Sequence, residues 1–130
     1  MIFAIAVYGS PYATTAHQHA LSFCRAAVEA GHSINRVFFY HEAVYVAHAS
    51  RVPPQDEGDL TGDWADFQSK SGCELSVCIA NAQKRGVLSE AEAERTARPP
   101  TSLAPGFELV GLGQLVDAAA EADRFVEFPS

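Results

Sequence analysis

The chain has 130 residues, of which 48% are hydrophobic, and carries a net charge of -7. This length fits one domain with a continuous core, and the apolar content excludes a disordered protein. No apolar run reaches the roughly eighteen residues that a membrane span needs, and the acidic excess argues against binding nucleic acid.

The chain begins with an apolar run, residues 2–7, that stops at Gly-Ser-Pro. Without a basic flank, this run is typical of a buried strand rather than a signal peptide. The expected compartment is therefore the cytoplasm, where the three cysteines are expected to be reduced thiols. A capping box of Thr15 and Gln18 predicts a helix that Gly31 ends. The predicted core stripe of this helix is Ala20, Leu21, Cys24, Ala27 and Val28.

A second strand is predicted at residues 34–40, followed by a short helical stretch at 42–48. Residues 50–59, with two adjacent prolines and three acidic residues, indicate a surface loop. A helical repeat then runs to Gly72, and a third strand is predicted at 74–79. The apolar residues of that repeat are Leu60, Trp64 and Phe67.

A short helix after the third strand is predicted to close at Gly86. A capping box of Ser89 and Glu92 predicts the next helix, which ends before Pro99-Pro100. The final elements are a strand at 107–110, a turn and helix at 111–122, and an edge strand at 124–128. This alternation predicts a single α/β domain, residues 1–130, with a mainly parallel sheet and helices on both faces.

Open α/β sheets bind ligands at the carboxyl ends of their strands. The residues expected there are Gly9, Ser10, Tyr12, His41, Glu42, Cys78, Gly111 and Gly113. Cys78 is the only strong nucleophile of the set, and its position at a strand-to-helix junction favours a thiolate. Such a thiolate can take a sulfane sulfur, become a persulfide and pass the outer sulfur to another thiol.

Position alone leaves a second interpretation open, in which Cys78 is a small buried hydrophobic residue. The small side chains of Ala80 and Ala82 would let a partner approach the thiol. Arg85 lies about 10 Å further along a helix, too far to touch the thiolate easily. Its expected role is to complement the helix C-terminus, and docking of an anionic partner is the alternative.

The other cysteines do not supply a partner for Cys78. Cys24 belongs to the apolar stripe of a helix, and Cys73 lies at the opposite end of the third strand. An extended segment holds the sulfurs of Cys73 and Cys78 more than ~10 Å apart, beyond the reach of a disulfide.

No metal site or cofactor site is predicted. His17 and His19 point to nearly opposite sides of a helix, and no Cys/His/carboxylate set has zinc-site spacing. His41 is interpreted as a surface residue, with a role in tuning a thiol as the alternative. Gly111-Leu112-Gly113 lacks the third glycine of a dinucleotide motif, so a plain strand-to-helix turn explains it.

Residues 78–86 resemble the active-site segment of the DsrE/TusD sulfurtransferase family. The resemblance extends over essentially the whole chain. Its other segments are Phe3-Ala4-Ile5, Gly31-His32, Val37 to Tyr40 with Glu42, Val44 and Tyr45, Gly106-Phe107, Gly111 to Gly113, and Asp123 to Val126. Asn81 and Gln83 stand where relatives have apolar residues, and His41 where one has arginine, which bears on partner specificity.

The resemblance implies a flavodoxin-like, DsrE-type subunit that carries sulfane sulfur on a catalytic Cys78 without metal or cofactor. It also implies a hetero-hexamer with two related small subunits, one DsrF/TusC-like and one DsrH/TusB-like. The implied sulfur donor is a TusA-like carrier and the implied acceptor a DsrC/TusE-like protein. The implied pathway is cytoplasmic sulfur oxidation, with tRNA 2-thiouridine formation as the alternative; direct contact with nucleic acid is not expected.

Two further hypotheses remain open. The chain could be a non-catalytic structural subunit of the same complex, or a redox thiol protein, which would need a resolving cysteine near Cys78. Aromatic residues expected at the exposed rim, Phe39, Tyr40 and Tyr45, favour burial against partner subunits.

Overall fold

The computed structural model describes residues 1–99 and 103–130, which hold five strands and the helices between them. In chain order the elements are β1 (Ile2–Val7), α1 (Ala16–Glu29), β2 (Ser33–Phe39), a 3-10 helix (His41–Ala47), α2 (Leu60–Ser71), β3 (Glu74–Cys78), α3 (Ile79–Lys84), α4 (Glu90–Arg95), β4 (Phe107–Val110), α5 (Gly113–Glu121) and β5 (Arg124–Phe128). Each strand lies within about one residue of its prediction, because buried apolar runs bounded by turn residues are strong local signals.

The strands form one sheet in the order β4-β3-β2-β1-β5, and every neighbouring pair is parallel. The predicted α/β class is confirmed, and β5 lies at an edge as expected. Because the strands run in one direction, their carboxyl ends meet along one side of the sheet, called the carboxyl edge below. Among the described residues, every helix is too short or too polar to cross a bilayer.

The two faces of the sheet carry different side chains because successive residues of a strand alternate between them. Val37 and Phe39 of β2 belong to the main core, in which the ring centroids of Phe39 and Trp64 lie 5.3 Å apart. Arg36 points to the opposite face and donates to Gln114 of α5 over 3.0 Å. Helices therefore cover both faces, as predicted.

The predicted core stripe of α1 is correct except at Val28, which is exposed. Each helical residue is rotated by about 100° from the one before it, so Val28 turns away from the face that buries Ala27.

The two capping boxes differ from their predictions. Thr15 precedes α1 without a side-chain cap; the hydroxyl of Thr14 instead accepts from the Ala16 amide over 3.3 Å. Ser89 does cap α4 by accepting from the Glu92 amide over 3.2 Å. The Glu92 carboxylate does not complete that box, because it binds Gln83 and Arg95. The helix α4 ends at Arg95, and Pro100 of its predicted boundary lies outside the described residues.

A fully buried histidine fastens the end of β1 to the core. His17 Nδ1 accepts from the indole of Trp64 over 3.1 Å, and His17 Nε2 lies 3.1 Å from the Gly9 carbonyl. Because an indole N–H can only donate, the proton of a neutral His17 resides on Nε2 and is donated to Gly9. Burial lowers the pKa of His17 to about 4, so this side chain is neutral at pH 7.

Gly9 is required by close packing at the same corner. A Cβ at this position would lie 2.5 Å from the Thr14 hydroxyl and 2.7 Å from the Ala16 Cβ. The Ser10 hydroxyl accepts from the Tyr12 amide over 3.0 Å and from the Ala13 amide over 3.3 Å. Gly9 and Ser10, two of the three candidates after β1, therefore shape the turn into α1.

Candidate functional site

Cys78 ends β3 at the carboxyl edge, pairs in register with Val110 of β4, and directly precedes α3. The predicted strand-to-helix junction is therefore present. The residue is only 2% exposed, so its sulfur is almost fully covered by surrounding atoms.

The sulfur of Cys78 has one polar partner among the described residues, the side-chain amide of Asn81. Asn81 Nδ2 donates to Cys78 Sγ over 3.2 Å. Asn81 lies three residues further along, in the first turn of α3, from where its side chain reaches back to Cys78 at the start of the helix. A hydrogen-bond donor is thus aimed at the nucleophile that the sequence singled out.

Arg85 fixes the orientation of that amide. Its Nη1 donates to Asn81 Oδ1 over 3.3 Å and to the Asn81 carbonyl over 3.2 Å. With the amide oxygen facing a guanidinium, which has no acceptor, the amide nitrogen must face the sulfur.

Glu42, in the first turn of the 3-10 helix that follows β2, holds Arg85 in turn. Glu42 Oε1 accepts from Arg85 Nη2 over 2.7 Å and from Arg85 Nε over 3.0 Å. The Arg85 side chain is 15% exposed and that of Glu42 52%. A carboxylate, a guanidinium and an amide therefore lead in series to Cys78, a set called the Cys78 network below.

Sequence reasoning found Cys78 and Glu42 at this edge but missed their connection. It correctly predicted that Arg85 does not touch the sulfur, and it did not predict the ion pair with Glu42. The spacing offered a signal: Asn81 follows Cys78 by three positions and Arg85 follows Asn81 by four, the separations at which helical side chains meet.

Two expectations about access and rim residues need correction. Ala80 is exposed beside Cys78, but Ala82 is fully buried, because it points inward from α3 and cannot receive a partner. Phe39 was expected at an exposed rim and is instead fully buried in the core, whereas Tyr40 and Tyr45 are half-buried.

A second group of side chains fills the carboxyl edge between β1 and β5. The Tyr8 hydroxyl donates to the Glu127 carboxylate over 2.7 Å. Burial, and then this hydrogen bond, raise the pKa of Tyr8 above its ordinary value, so it remains a neutral phenol. The exposed His41 ring packs against Tyr40 and Tyr8 at centroid distances of 4.2 and 6.0 Å. His41 is thus a surface residue, as first interpreted.

The other two cysteines lie in the core. Cys24 is fully buried and Cys73 is 2% exposed. Burial raises the pKa of both thiols above the ordinary value, which keeps them protonated near neutral pH. Neither thiol is suited to nucleophilic attack.

The described residues contain no group of three or more His, Cys, Asp or Glu side chains arranged to hold a metal ion. His17 is buried and His19 exposed, so they diverge as predicted. Gly111 and Gly113 form an ordinary turn into α5, with no atom near enough to demand glycine.

A cleft of about 510 Å³ lies beside Tyr12 and does not include Cys78. Arg51 stacks over the Tyr12 ring at 5.2 Å and donates to its hydroxyl over 3.2 Å. The cleft therefore lies between the turn that follows β1 and the loop that precedes α2, apart from Cys78.

Comparison with known proteins identifies the family. The model of the DsrE/DsrF-like family matches residues 1–128. The chain is 42% identical to the sulfurtransferase named DsrE of Allochromatium vinosum, over 98% of both chains. It is 47% identical to a sulfurtransferase TusD homolog of Pseudomonas aeruginosa, over 98% of this chain and 97% of the relative. These names confirm the expected class of enzyme, a sulfurtransferase.

A solved structure shares the fold. The YchN protein of Escherichia coli superposes with a TM-score of 0.78 at 18% identity, covering 98% of this chain and 99% of that one. At this identity the likeness concerns the fold alone. The family match over nearly the whole chain, together with relatives at 42% and 47% identity, shows that this chain belongs to the DsrE/DsrF-like family.

Proposed function

We propose that this chain is a sulfur-relay subunit that carries sulfane sulfur as a persulfide on Cys78 and passes it between protein thiols. The observation that carries the proposal is the Asn81 amide aimed at Cys78 Sγ over 3.2 Å. The names of the relatives supply the class of chemistry. Residues 1–130 act in this proposal as one DsrE-like domain.

The proposed relay has two steps, and neither changes the overall oxidation state. First, the Cys78 thiolate attacks the outer sulfur of a donor persulfide, R–S–SH; a new S–S bond forms, and the electron pair of the old bond leaves with R–S⁻. The product is Cys78–S–SH. Second, an acceptor thiolate attacks the outer sulfur of Cys78–S–SH, and Cys78 departs as a thiolate.

The proposed setting is cytoplasmic sulfur oxidation, with a TusA-like donor and a DsrC/TusE-like acceptor. The same chemistry in tRNA 2-thiouridine formation is the alternative, since relatives named DsrE and TusD are both close in sequence. Neither setting requires this acidic chain to touch nucleic acid itself.

One observation favours a second candidate, a non-catalytic structural subunit. Cys78 is only 2% exposed, as a small core residue would be. A core residue, however, has no need of an amide donor on its sulfur. The two candidates differ in whether the thiol takes up sulfur.

We expect the purified protein, in complex with its two partner subunits, to gain one sulfur atom on incubation with glutathione persulfide. Whole-protein mass spectrometry measures this gain. A reductant is expected to remove the added sulfur, and an acceptor thiol is expected to take it over. If the protein in its full complex gains no sulfur, the relay proposal fails and the structural subunit is favoured.

We further propose a hetero-hexamer with DsrF/TusC-like and DsrH/TusB-like subunits. Apolar residues on the outer face of α5 offer a surface for such partners: Leu112 is 49% and Val116 66% exposed. Co-expressed subunits are expected to elute together from a size-exclusion column, and Val116→Asp is expected to separate them. Val52→Asp is the control, because Val52 is 91% exposed and lies in the loop before α2. Co-elution that survives Val116→Asp would exclude this face as the interface.

A further inference from the structure

We propose that Asn81 is a second catalytic residue: its amide stabilises the negative charge on Cys78 Sγ, and Arg85 and Glu42 hold the amide in position. This inference deepens the proposed function and rests on it. It names the group that assists the sulfur of Cys78 when it attacks and, above all, when it leaves.

Geometry supports this role because the amide has a single usable orientation. The two contacts of Arg85 Nη1, to Asn81 Oδ1 at 3.3 Å and to the Asn81 carbonyl at 3.2 Å, occupy the oxygen side. Rotating the amide would place its N–H group against a guanidinium and its oxygen against the sulfur. The network therefore holds the donor toward Cys78 before any partner arrives, and such preorganisation is what stabilises charge in a reaction.

Burial increases the importance of the donor. Cys78 is 2% exposed and Arg85 is largely covered, so little water can solvate a thiolate at this position. An amide hydrogen bond is stronger in such surroundings than in water, and a bond to a charged acceptor exceeds one to a neutral acceptor. The Asn81 amide is placed to replace that missing solvation.

The charge on Sγ changes during the relay, and the hydrogen bond from the Asn81 amide is stronger when Sγ is negatively charged. When the acceptor thiolate bonds to the outer sulfur, the bond between the two sulfurs of Cys78–S–SH breaks. The electron pair then moves onto Sγ, next to Asn81 Nδ2. Stabilising this leaving group lowers the barrier to sulfur release. In uptake, the same amide donates to the sulfur that attacks the donor persulfide.

The first test removes the amide with Asn81→Ala and follows two quantities. Release of sulfur from Cys78 to an acceptor thiol is expected to slow by about ten- to a hundredfold, the worth of a hydrogen bond to a charged group. The pH midpoint of Cys78 alkylation by iodoacetamide, followed by peptide mass spectrometry, is expected to move to higher pH, because the variant loses a hydrogen-bond donor to the thiolate. Gln68→Ala, which removes an amide from α2, is the control and is expected to change neither quantity.

The second test separates positioning from contact. Arg85→Met removes the group that orients the amide, so it is expected to shift both quantities in the same direction as Asn81→Ala, by a smaller amount. The double variant is expected to match Asn81→Ala alone, because Arg85 acts through Asn81. If the effects of the two single substitutions add up in the double variant, Arg85 acts on the sulfur independently and not through Asn81.

The two proposals fail in different ways. If Asn81→Ala releases sulfur at the rate of the unaltered protein and keeps its alkylation midpoint, the role of Asn81 is refuted while the persulfide relay stands. If the unaltered protein takes up no sulfur, the relay is refuted, and the alkylation profile still shows whether Asn81 acts on the thiol. Circular dichroism of each variant confirms that the comparison is between folded proteins.

Discussion

Cys78→Ala is expected to abolish sulfur uptake, whereas Cys24→Ala and Cys73→Ala retain it. Loss of the nucleophile of a covalent relay typically lowers the rate by at least about a thousandfold. Cys24 and Cys73 lie in the core, where burial raises the pKa of both thiols. Their alanine variants therefore lose packing and stability while keeping the reacting sulfur.

The rate of sulfur transfer from glutathione persulfide to an acceptor thiol distinguishes the three cysteines. The two core variants serve as matched controls, because each removes one thiol from the same chain. A Cys78→Ala protein that still transfers sulfur, together with loss of transfer in either core variant, would move the site to another cysteine.

Acidification is expected to destabilise the fold through His17. The side chain is fully buried, accepts from Trp64 over 3.1 Å, and stacks on Phe39 with ring centroids 5.7 Å apart. Burial lowers its pKa from 6.5 to about 4. Protonation would also convert Nδ1 from an acceptor into a donor facing the Trp64 N–H, so the contact would be lost.

The direction of the pH effect follows from the two pKa values. Between pH 6.5 and about 4 the unfolded chain binds a proton at His17 that the folded chain does not. The free energy of unfolding therefore falls as the pH drops through this window. Above pH 6.5 the stabilising contribution of neutral His17 is fully present. The full loss is on the order of 3 kcal/mol, from about 1.4 kcal/mol for each unit of pKa difference.

Urea denaturation at pH 7.5 and pH 5 measures this effect. We expect His17→Gln to be less stable at pH 7.5 and to lose less stability on acidification than the unaltered protein. The control His19→Gln lies on the exposed side of the same helix and is expected to keep the full pH dependence. An unchanged pH dependence in His17→Gln would show that other groups cause the acid sensitivity.

The fold was largely predictable because its signals are local. Each strand is an apolar run bounded by turn residues, and the alternation with helices predicted a parallel sheet. Strand order was not predictable, since the position of β5 beside β1 depends on pairing between distant segments. The fully buried His17 was also missed, because its two partners, Gly9 and Trp64, lie far from each other in sequence.

The candidate site was predictable only in part. The rule that ligands bind at the carboxyl ends of strands identified Cys78 from its position. The same rule could not decide whether Cys78 is a nucleophile or a small buried core residue. The Cys78 network joins two segments that are distant in sequence. Glu42, in the 3-10 helix after β2, lies 43 positions from Arg85 at the end of α3. Helical spacing could have linked Cys78, Asn81 and Arg85, but the choice of Glu42 as the ion-pair partner needed the three-dimensional fold.

Mapping the added sulfur within the chain tests the central claim most directly. Trypsin releases residues 71–84 as one peptide that contains both Cys73 and Cys78, so fragmentation of this peptide assigns the sulfur to one of them. After incubation with glutathione persulfide and alkylation, the extra sulfur is expected on Cys78, with none on Cys24 or Cys73. Extra sulfur on Cys73 or Cys24, with none on Cys78, would contradict the account.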